Sequence, residues 1–549
     1  MSKPVEEILE QFNEIAVDRL NYDTHCQEIA DYMIPRKGTF TATRAAGSKI
    51  RTKIYEDTAT YALDVLASGI HGKLTSPATD WFKIKPQDED LWEHHEVKEW
   101  FSKVQKKMYQ VFRGSNFHTQ MPEGYLDIGA FGQMCLAIEK DPQTIVRFKA
   151  EPVAECYIAE NDRGIVDTLF RKPEFTVRQA RQRWGEAALP KDIKKKLADK
   201  KYNEKFTAIH AIFPREDFNP MRIDNKNMPW ASIYIEPESK KVLSESGYPE
   251  FPYACPRWYT ASGEVNGRSP AMRALATVRV INAMEKTTLR AGQKLVDPPL
   301  LVPHDAYIAP LNTSPGALLM KRLGIHPGEK IEPLLTAINL PAAFDQMDRK
   351  QQAIFRAFYV DLFLMLDQLT EERKQITATE ILERVEEKMT LLGPALGRLM
   401  SECLDVVIHR VFNIMARGRH FPEVPEVLKG QEYEIEYISP LARAQRLPEL
   451  TAINRSLNLA IGMAEVMPQV LDKYNPDKIV DYTNDILGVP PEIMNSEEEI
   501  QELRRQREEM KAAEAAMLMM QQGGEAAKSV GQGMKEMEGM PMPAEEGVA

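Results

Sequence analysis

Apolar side chains recur every three or four residues along most of this chain, and the interruptions to that rhythm mark its elements. The first run, 5–33, carries Val5, Ile8, Leu9, Phe12, Ile15 and Ala16; it predicts an amphipathic helix, broken near Asn21 and stopped at Pro35. The cleanest run, 56–74, places Ala59, Ala62, Leu63, Leu66, Ile70 and Leu74 on one face, with Asp57 as its cap and Thr75-Ser76-Pro77 as its end. Trp81 and Phe82 follow in an extended segment. Further helices are expected over 90–113, where Trp100, Phe101, Val104, Met108 and Phe112 share a face, and over 118–131. The period then falls to two. Strands are expected at 133–139, 144–149, 155–159 and 165–171, the last two joined by the turn Asn161-Asp162-Arg163-Gly164. Short helices at 176–184 and 191–200 and strands at 205–213, 231–236 and 240–244 complete an α+β region closing near Tyr259.

A longer helix is expected over 271–295. A glycine-rich turn, Gly263 to Gly267, precedes it; Ser269 stands where an N-cap belongs, and Pro270 takes the first helical position, where its missing N–H is not needed. About 25 residues at 1.5 Å each make a rod of about 38 Å. Met272, Leu275, Val278, Ile281, Met284 and Leu289 form no single stripe, and Arg273, Arg279, Lys286, Arg290 and Lys294 interleave with them. That pattern suits a helix packed between neighbours; the plainer reading is a core helix of a large α/β domain. Asp297-Pro298-Pro299 ends the helix, and a Pro/Gly-rich block of short extended pieces runs over 296–341. A second long helix is expected at 342–367, then a polar stretch, 368–376. Thr377 to Glu380 reads as a capping box opening a helix that bends at Gly393-Pro394 and resumes to 417. A strand at 431–438 and helices at 440–471, 476–487 and 496–522 follow; 523–549, rich in Gly, Met, Glu and Pro, reads as disordered.

Composition narrows the chemistry. A chain of 549 residues exceeds one hydrophobic core, and a net charge of −11 argues against wrapping nucleic acid by charge alone. The basic loop 36–53, with Arg36, Lys37, Arg44, Lys49, Arg51 and Lys53, is either solvated or a contact to an acidic partner or DNA phosphate. Five scattered cysteines without a CxxC point to a reducing compartment and indicate no zinc knuckle or disulfide framework. No membrane partner is expected: the most apolar run, 353–366, holds Arg356 and Asp361 and is too short to span a bilayer.

Little in the chain points to catalysis. Gly72-Lys73-Leu74-Thr75 lacks the spacing of a phosphate-binding loop. His94 and His95 are adjacent, so on a helix they cannot share one metal face. Asp88, Glu89 and Asp90 suit the start of a helix. Cys403 and His409 read as core residues. No cofactor is expected.

Several stretches in order resemble one family, the portal proteins or head-to-tail connectors of short-tailed bacteriophages. They are Tyr32-Met33-Ile34-Pro35; the helix 56–74 running into Leu74-Thr75-Ser76-Pro77 and then Trp81-Phe82; Pro256-Arg257-Trp258; Gly267-Arg268-Ser269-Pro270 with its long helix ending in Asp297-Pro298-Pro299; the capping box at Thr377; Leu391-Leu392-Gly393-Pro394 with Arg398-Leu399; and Ser439-Pro440-Leu441-Ala442. The resemblance spans about 30–445, and the segment after about 490 lies beyond it.

The resemblance implies a mixed α+β, mainly α fold with wing, stem helices, clip and helical crown, assembled as a ring, usually of twelve copies, at one capsid vertex of the virion. It implies assembly in the host cytoplasm, double-stranded DNA in the channel during packaging and ejection, and docking to a terminase motor, a tail adaptor and capsid or scaffold proteins. On this chain the wing would be 1–262, a stem helix 263–296, the clip 297–341, a second stem helix 342–367, a tunnel loop 368–376, a return to the wing 377–440, the crown 441–522 and a tail 523–549. Thr370, Glu371, Glu372, Arg373 and Lys374 would face DNA. Arg279, Lys286 and Arg290 would make contacts between subunits. The alternatives are another virion ring or a tail adaptor, and an enzyme using the acids at 88–90 on a metal.

Overall fold

The computed structural model describes residues 4–45, 47–50, 53–88, 91, 94–219, 221, 224–296, 300–301, 332–333, 340–368, 391–464, 467–487 and 499–514. The chain divides into two compact units, Met1–Leu457 and Asn458–Ala549. It mixes helix and strand, with helix predominating.

The first expected helix is two, α1 (Val5–Asp18) and α2 (Leu20–Tyr32). The break falls at Arg19 rather than near Asn21, because this guanidinium sits on the helix's apolar face and is fully buried. Its Nε pairs with Asp23 at 2.8 Å, Nη2 donates to the Val153 carbonyl at 2.7 Å and Nη1 to that of Cys156, and the group lies 4.5 Å from the Tyr157 ring centre. Next come α3 (Thr58–Leu74), strand β1 (Phe82–Pro86), α4 (His95–Gly114) and α5 (Phe117–Phe131).

Strands β2 (Cys135–Asp141), β3 (Ile145–Glu151), β4 (Cys156–Glu160) and β5 (Val166–Arg171) lead to the small hairpin strands β6 (Glu174–Thr176) and β7 (Lys205–Thr207). Between these lie α6 (Val177–Ala188), opened by a capping box of Thr176 and Gln179, and α7 (Lys191–Ala198). The run expected as one strand over 205–213 is divided: after β7 the chain continues as β8 (Ile209–Pro214) in a different sheet. With β9 (Trp230–Glu236), β10 (Lys241–Tyr248) and β11 (Tyr253–Ala254), the strands form a five-stranded antiparallel sheet, β10-β9-β8-β5-β4, and a three-stranded one, β11-β2-β3. Alternation along β8 explains its near-continuous apolar run. Ile209, Ala211 and Phe213 pack under Ile8 and Phe12 of α1, while Ile212 turns the other way onto Cys135, Ala137 and Tyr253 of the second sheet.

Helix α8 (Pro270–Val296) has 27 residues, about 40 Å at 1.5 Å each. Strands β12 (Leu300–Leu301) and β13 (Glu332–Pro333) pair antiparallel, so the chain leaves and returns at one place. The second long helix is broken. Tyr359, at φ 57°, separates α9 (Leu340–Ala357) from α10 (Val360–Gln368). Residues 391–399, which include Gly393-Pro394, are helical (α11); the helix expected before them lies outside the described residues, and a π turn over Met400–Leu404 precedes α12 (Asp405–Arg417). Strand β14 (Tyr433–Tyr437), α13 (Pro440–Ala464), a 3-10 turn over Pro468–Lys473, α14 (Pro476–Leu487) and helical residues 499–514 complete the described chain. Much of the expected clip, the acids Glu89 and Asp90, Asp297-Pro298-Pro299, the tunnel loop, the capping box at Thr377 and the tail lie outside the described residues.

One core joins α2–α5, one face of the three-stranded sheet, the first half of α8, α9, α10 and residues 392–415. Strand β1 pairs with β14 across this core, setting Phe82 against Tyr437. Phe82 and Ile84 point inward, while Lys83 and Lys85 lie opposite Glu436 and Glu434. The alternation is that of a ribbon with one covered face, and the outer face carries opposite charges directly across the pair.

Candidate functional site

Close backbone crossings and buried polar contacts gather where the chain turns into α8. Gly132 ends α5 in the left-handed region, φ 82°, and its backbone crosses that of Gly267 so closely that a Cβ on either would strike the other's carbonyl. The Gly132 carbonyl accepts from the Trp258 N–H at 2.8 Å, and Tyr259 and Arg268 pair as an isolated bridge. Ser269 caps α8 as expected: its Oγ accepts from the Met272 N–H at 3.0 Å and donates to the Ala130 carbonyl at 2.8 Å.

Arg257 ties this turn to two distant segments. Its side chain is 4% exposed, and Nη1 lies 2.6 Å from Glu160 Oε2. Nη2 donates to the Gly164 carbonyl at 2.7 Å, and the Arg257 N–H donates to Glu402 at 2.9 Å. Glu402 sits in the π turn and also takes Arg398 Nη1 at 2.9 Å. The extra residue of a π turn rotates the helix face locally, and here it brings a carboxylate onto the arginine.

Along α8 the surface changes character. Ala271, Ala274, Leu275, Val278, Ile281 and Asn282 are buried in one helical stripe, so the first half does have the single face that the apolar pattern seemed to lack. Beyond Asn282 no residue of α8 is buried, and Leu289 and Val296 are 50% and 88% exposed. Leu289 had blurred the stripe because it belongs to this open half. Asn282 pins the loop before α3: its Oδ1 accepts from Tyr55 N–H at 2.7 Å and its Nδ2 donates to the Lys53 carbonyl at 2.8 Å. Of the candidate contact residues, Arg279 is exposed and pairs with Glu28 at 3.0 Å, Lys286 lies 5.1 Å from the Tyr55 ring centre, and Arg290 is exposed. The structure thus brings them onto one helix with partners in their own chain for two of them.

The basic loop is largely neutralised from within. Arg36 meets Glu123 at 2.9 Å, Lys37 meets Asp127 at 2.8 Å, and Arg44 and Lys53 share Asp31 at 3.0 and 2.6 Å. Four of its cations therefore pair with three carboxylates of the same chain, which weakens the phosphate-contact reading. Burial pushes the Asp127 carboxyl up to about 6, in spite of Lys37. A folded-state value above the unfolded one means the native protein binds this proton more tightly, so stability falls as pH rises from about 4 to about 6. Asp127→Asn is predicted to flatten that fall, by up to about 3 kcal/mol, in urea titrations across this range.

Among the described residues no group of three His, Cys, Asp or Glu side chains is placed to hold a metal ion, and no helix is long and apolar enough to cross a membrane. Cys403 is buried, but His409 is not a core residue. Val407, Ile408 and Val411 turn inward on α12, which sends His409 to the surface, where Nδ1 meets the Tyr433 hydroxyl at 2.5 Å.

Sequence comparison extends well past this site. The family described as bacteriophage head to tail connecting protein matches residues 5–494. The portal protein of Salmonella phage epsilon15 is 32% identical over 511 residues, 91% of each chain. A probable portal protein of Bordetella phage BPP-1 is 32% identical over 527 residues, 95% of each.

Proposed function

Because this chain belongs to the bacteriophage head-to-tail connecting protein family, we propose that it acts as a ring of identical subunits through which double-stranded DNA is packaged and ejected. It is a structural portal connector between capsid and tail. The observation that carries the finer reading is the match over nearly the whole chain, from the first helix to residue 494. Three features support it. Helix α8 leaves its second half without a buried residue, as a channel wall shared with neighbours would. The β12–β13 pair lets the chain depart from and return to the α8–α9 end, where a docking clip would project. The net charge of −11 per copy suits a channel that lets DNA slide instead of gripping its phosphates.

In this reading the terminase motor, the tail adaptor and capsid or scaffold proteins are the partners, the ring holds twelve copies, and the chain carries out no catalysis of its own. Negative-stain microscopy of the purified protein tests it. Rings with a hole of roughly 20 Å or more, wide enough for a duplex, are expected, and a monomer at every concentration would overturn the proposal.

Two variants test the parts. Deleting 369–375 is expected to leave rings intact and to impair packaging or retention of DNA; normal packaging would remove the tunnel-loop assignment. Arg279→Glu sets a second carboxylate beside Glu28 and reverses a charge on the open side of α8. It is expected to disrupt ring assembly more than it changes DNA affinity, as read by sedimentation and by duplex binding. Intact rings with altered DNA binding would reverse that view.

A further inference from the structure

Three of the buried cysteines, far apart in the chain, come together between the two sheets. Cys135 on β2, Cys156 on β4 and Cys255, just after β11, belong to one packed cluster. All five cysteines are free thiols. The register between β11 and β2 pairs Tyr253 with Ala137 and Ala254 with Leu136, so one further step sets Cys255 opposite Cys135. The Ile138 N–H donates to the Pro252 carbonyl at 2.9 Å and the Met134 N–H to that of Pro256 at 3.3 Å. Positions 138/252, 136/254 and 134/256 are therefore the hydrogen-bonded pairs of this antiparallel ladder, and 135/255 is a non-hydrogen-bonded pair. Cα atoms in such pairs lie about 4.5 Å apart, inside the range of about 4.4–6.8 Å that a disulfide bridges. The two sulfurs are already 3.9 Å apart.

We propose that Cys135 and Cys255 are an oxidation site, forming a reversible cross-strand disulfide when the folded protein meets a small-molecule disulfide. The Cys255 thiolate attacks one sulfur of the reagent, giving a mixed disulfide and releasing one thiolate. The Cys135 thiol gives its proton to solvent and its sulfur displaces the second reagent sulfur from Cys255. Two cysteine thiols are oxidised, and one small-molecule disulfide is reduced to two thiols. Cys255 is the first sulfur to react. It follows a two-residue strand at the edge of its sheet and is 5% exposed against 1% for Cys135. The hydrogen bond with Cys156 favours the Cys135 thiolate, but Cys255 and burial outweigh it and push this thiol well up, so the second step gains speed with pH. The bond would clamp the edge strand that runs directly into Arg257 and α8.

The test uses the full-length folded protein incubated with oxidised glutathione, then denatured, alkylated and digested with trypsin without reduction. The three cysteines fall in separate peptides, 114–140, 150–163 and 242–257. The expected product is 114–140 joined to 242–257, with Cys156 alkylated and the thermal midpoint raised. Cys156→Ser should keep that link and Cys255→Ser should lose it. A link from 114–140 to 150–163, or alkylation of all three cysteines in protein kept folded and oxidised to equilibrium, would overturn the proposal.

Discussion

Alanine at Gly267 is expected to cost about 3 kcal/mol or more, read as a fall in the urea midpoint, with much of the protein lost to aggregation. The added methyl would strike the Gly132 carbonyl, which is backbone and cannot rotate aside. Moving Gly132 would strain a left-handed residue at φ 82° and pull its carbonyl from the Trp258 N–H. The Arg257 side chain closes the remaining side. Gly292→Ala supplies the contrast on the same stretch of chain. A Cβ there meets nothing within 4 Å, so alanine's better helix propensity should stabilise by about 0.5–1 kcal/mol. If the two substitutions behaved alike, the backbone crossing would not be the constraint described.

Arg257→Ala is expected to cost about 2–3 kcal/mol in the same titration, because it removes a buried cation hydrogen-bonded to two half-buried carboxylates and a backbone carbonyl. Glu160 and Glu402 would lose the cation they share, and the Gly164 carbonyl would lose a donor. Lysine should recover little, since one ammonium cannot serve the separate acceptors that the planar guanidinium reaches. Arg398→Ala removes the neighbouring cation from Glu402, but its side chain is 35% exposed; the loss there should stay below about 1 kcal/mol. A loss at Arg257 no larger than at Arg398 would show that the cluster is peripheral.

What the sequence made legible follows the range of the forces involved. The cap of α8 was readable because Ser269, Pro270 and the Met272 N–H lie within one turn. Alternation placed β2 to β5 correctly to within a residue or two. The break at Arg19 does carry a signal in the sequence. Ile8, Phe12 and Ala16 lead to position 19 on the same face, and a cation there must either break the stripe or find buried partners. The Arg257 cluster had no such signal, since Glu160 and Glu402 are separated from it by 97 and 145 residues. The open half of α8 was legible only as a blurred stripe, because an unburied apolar residue such as Leu289 looks the same in sequence as a buried one.

The ribbon of β1 and β14 bears on how the protein is made. Residue 82 pairs with residue 437, so the first strand leaves the ribosome long before its mate. At about 5–20 residues per second, the wait is roughly 20 to 70 s. During that time Phe82 and Ile84 have an apolar face and a bare edge, the condition that promotes pairing with the wrong chain. Lys83 and Lys85 alternate with them and discourage such pairing until Glu434 and Glu436 arrive. A chain cut short anywhere before the second strand can never close this ribbon, and it keeps the apolar face of the first strand uncovered.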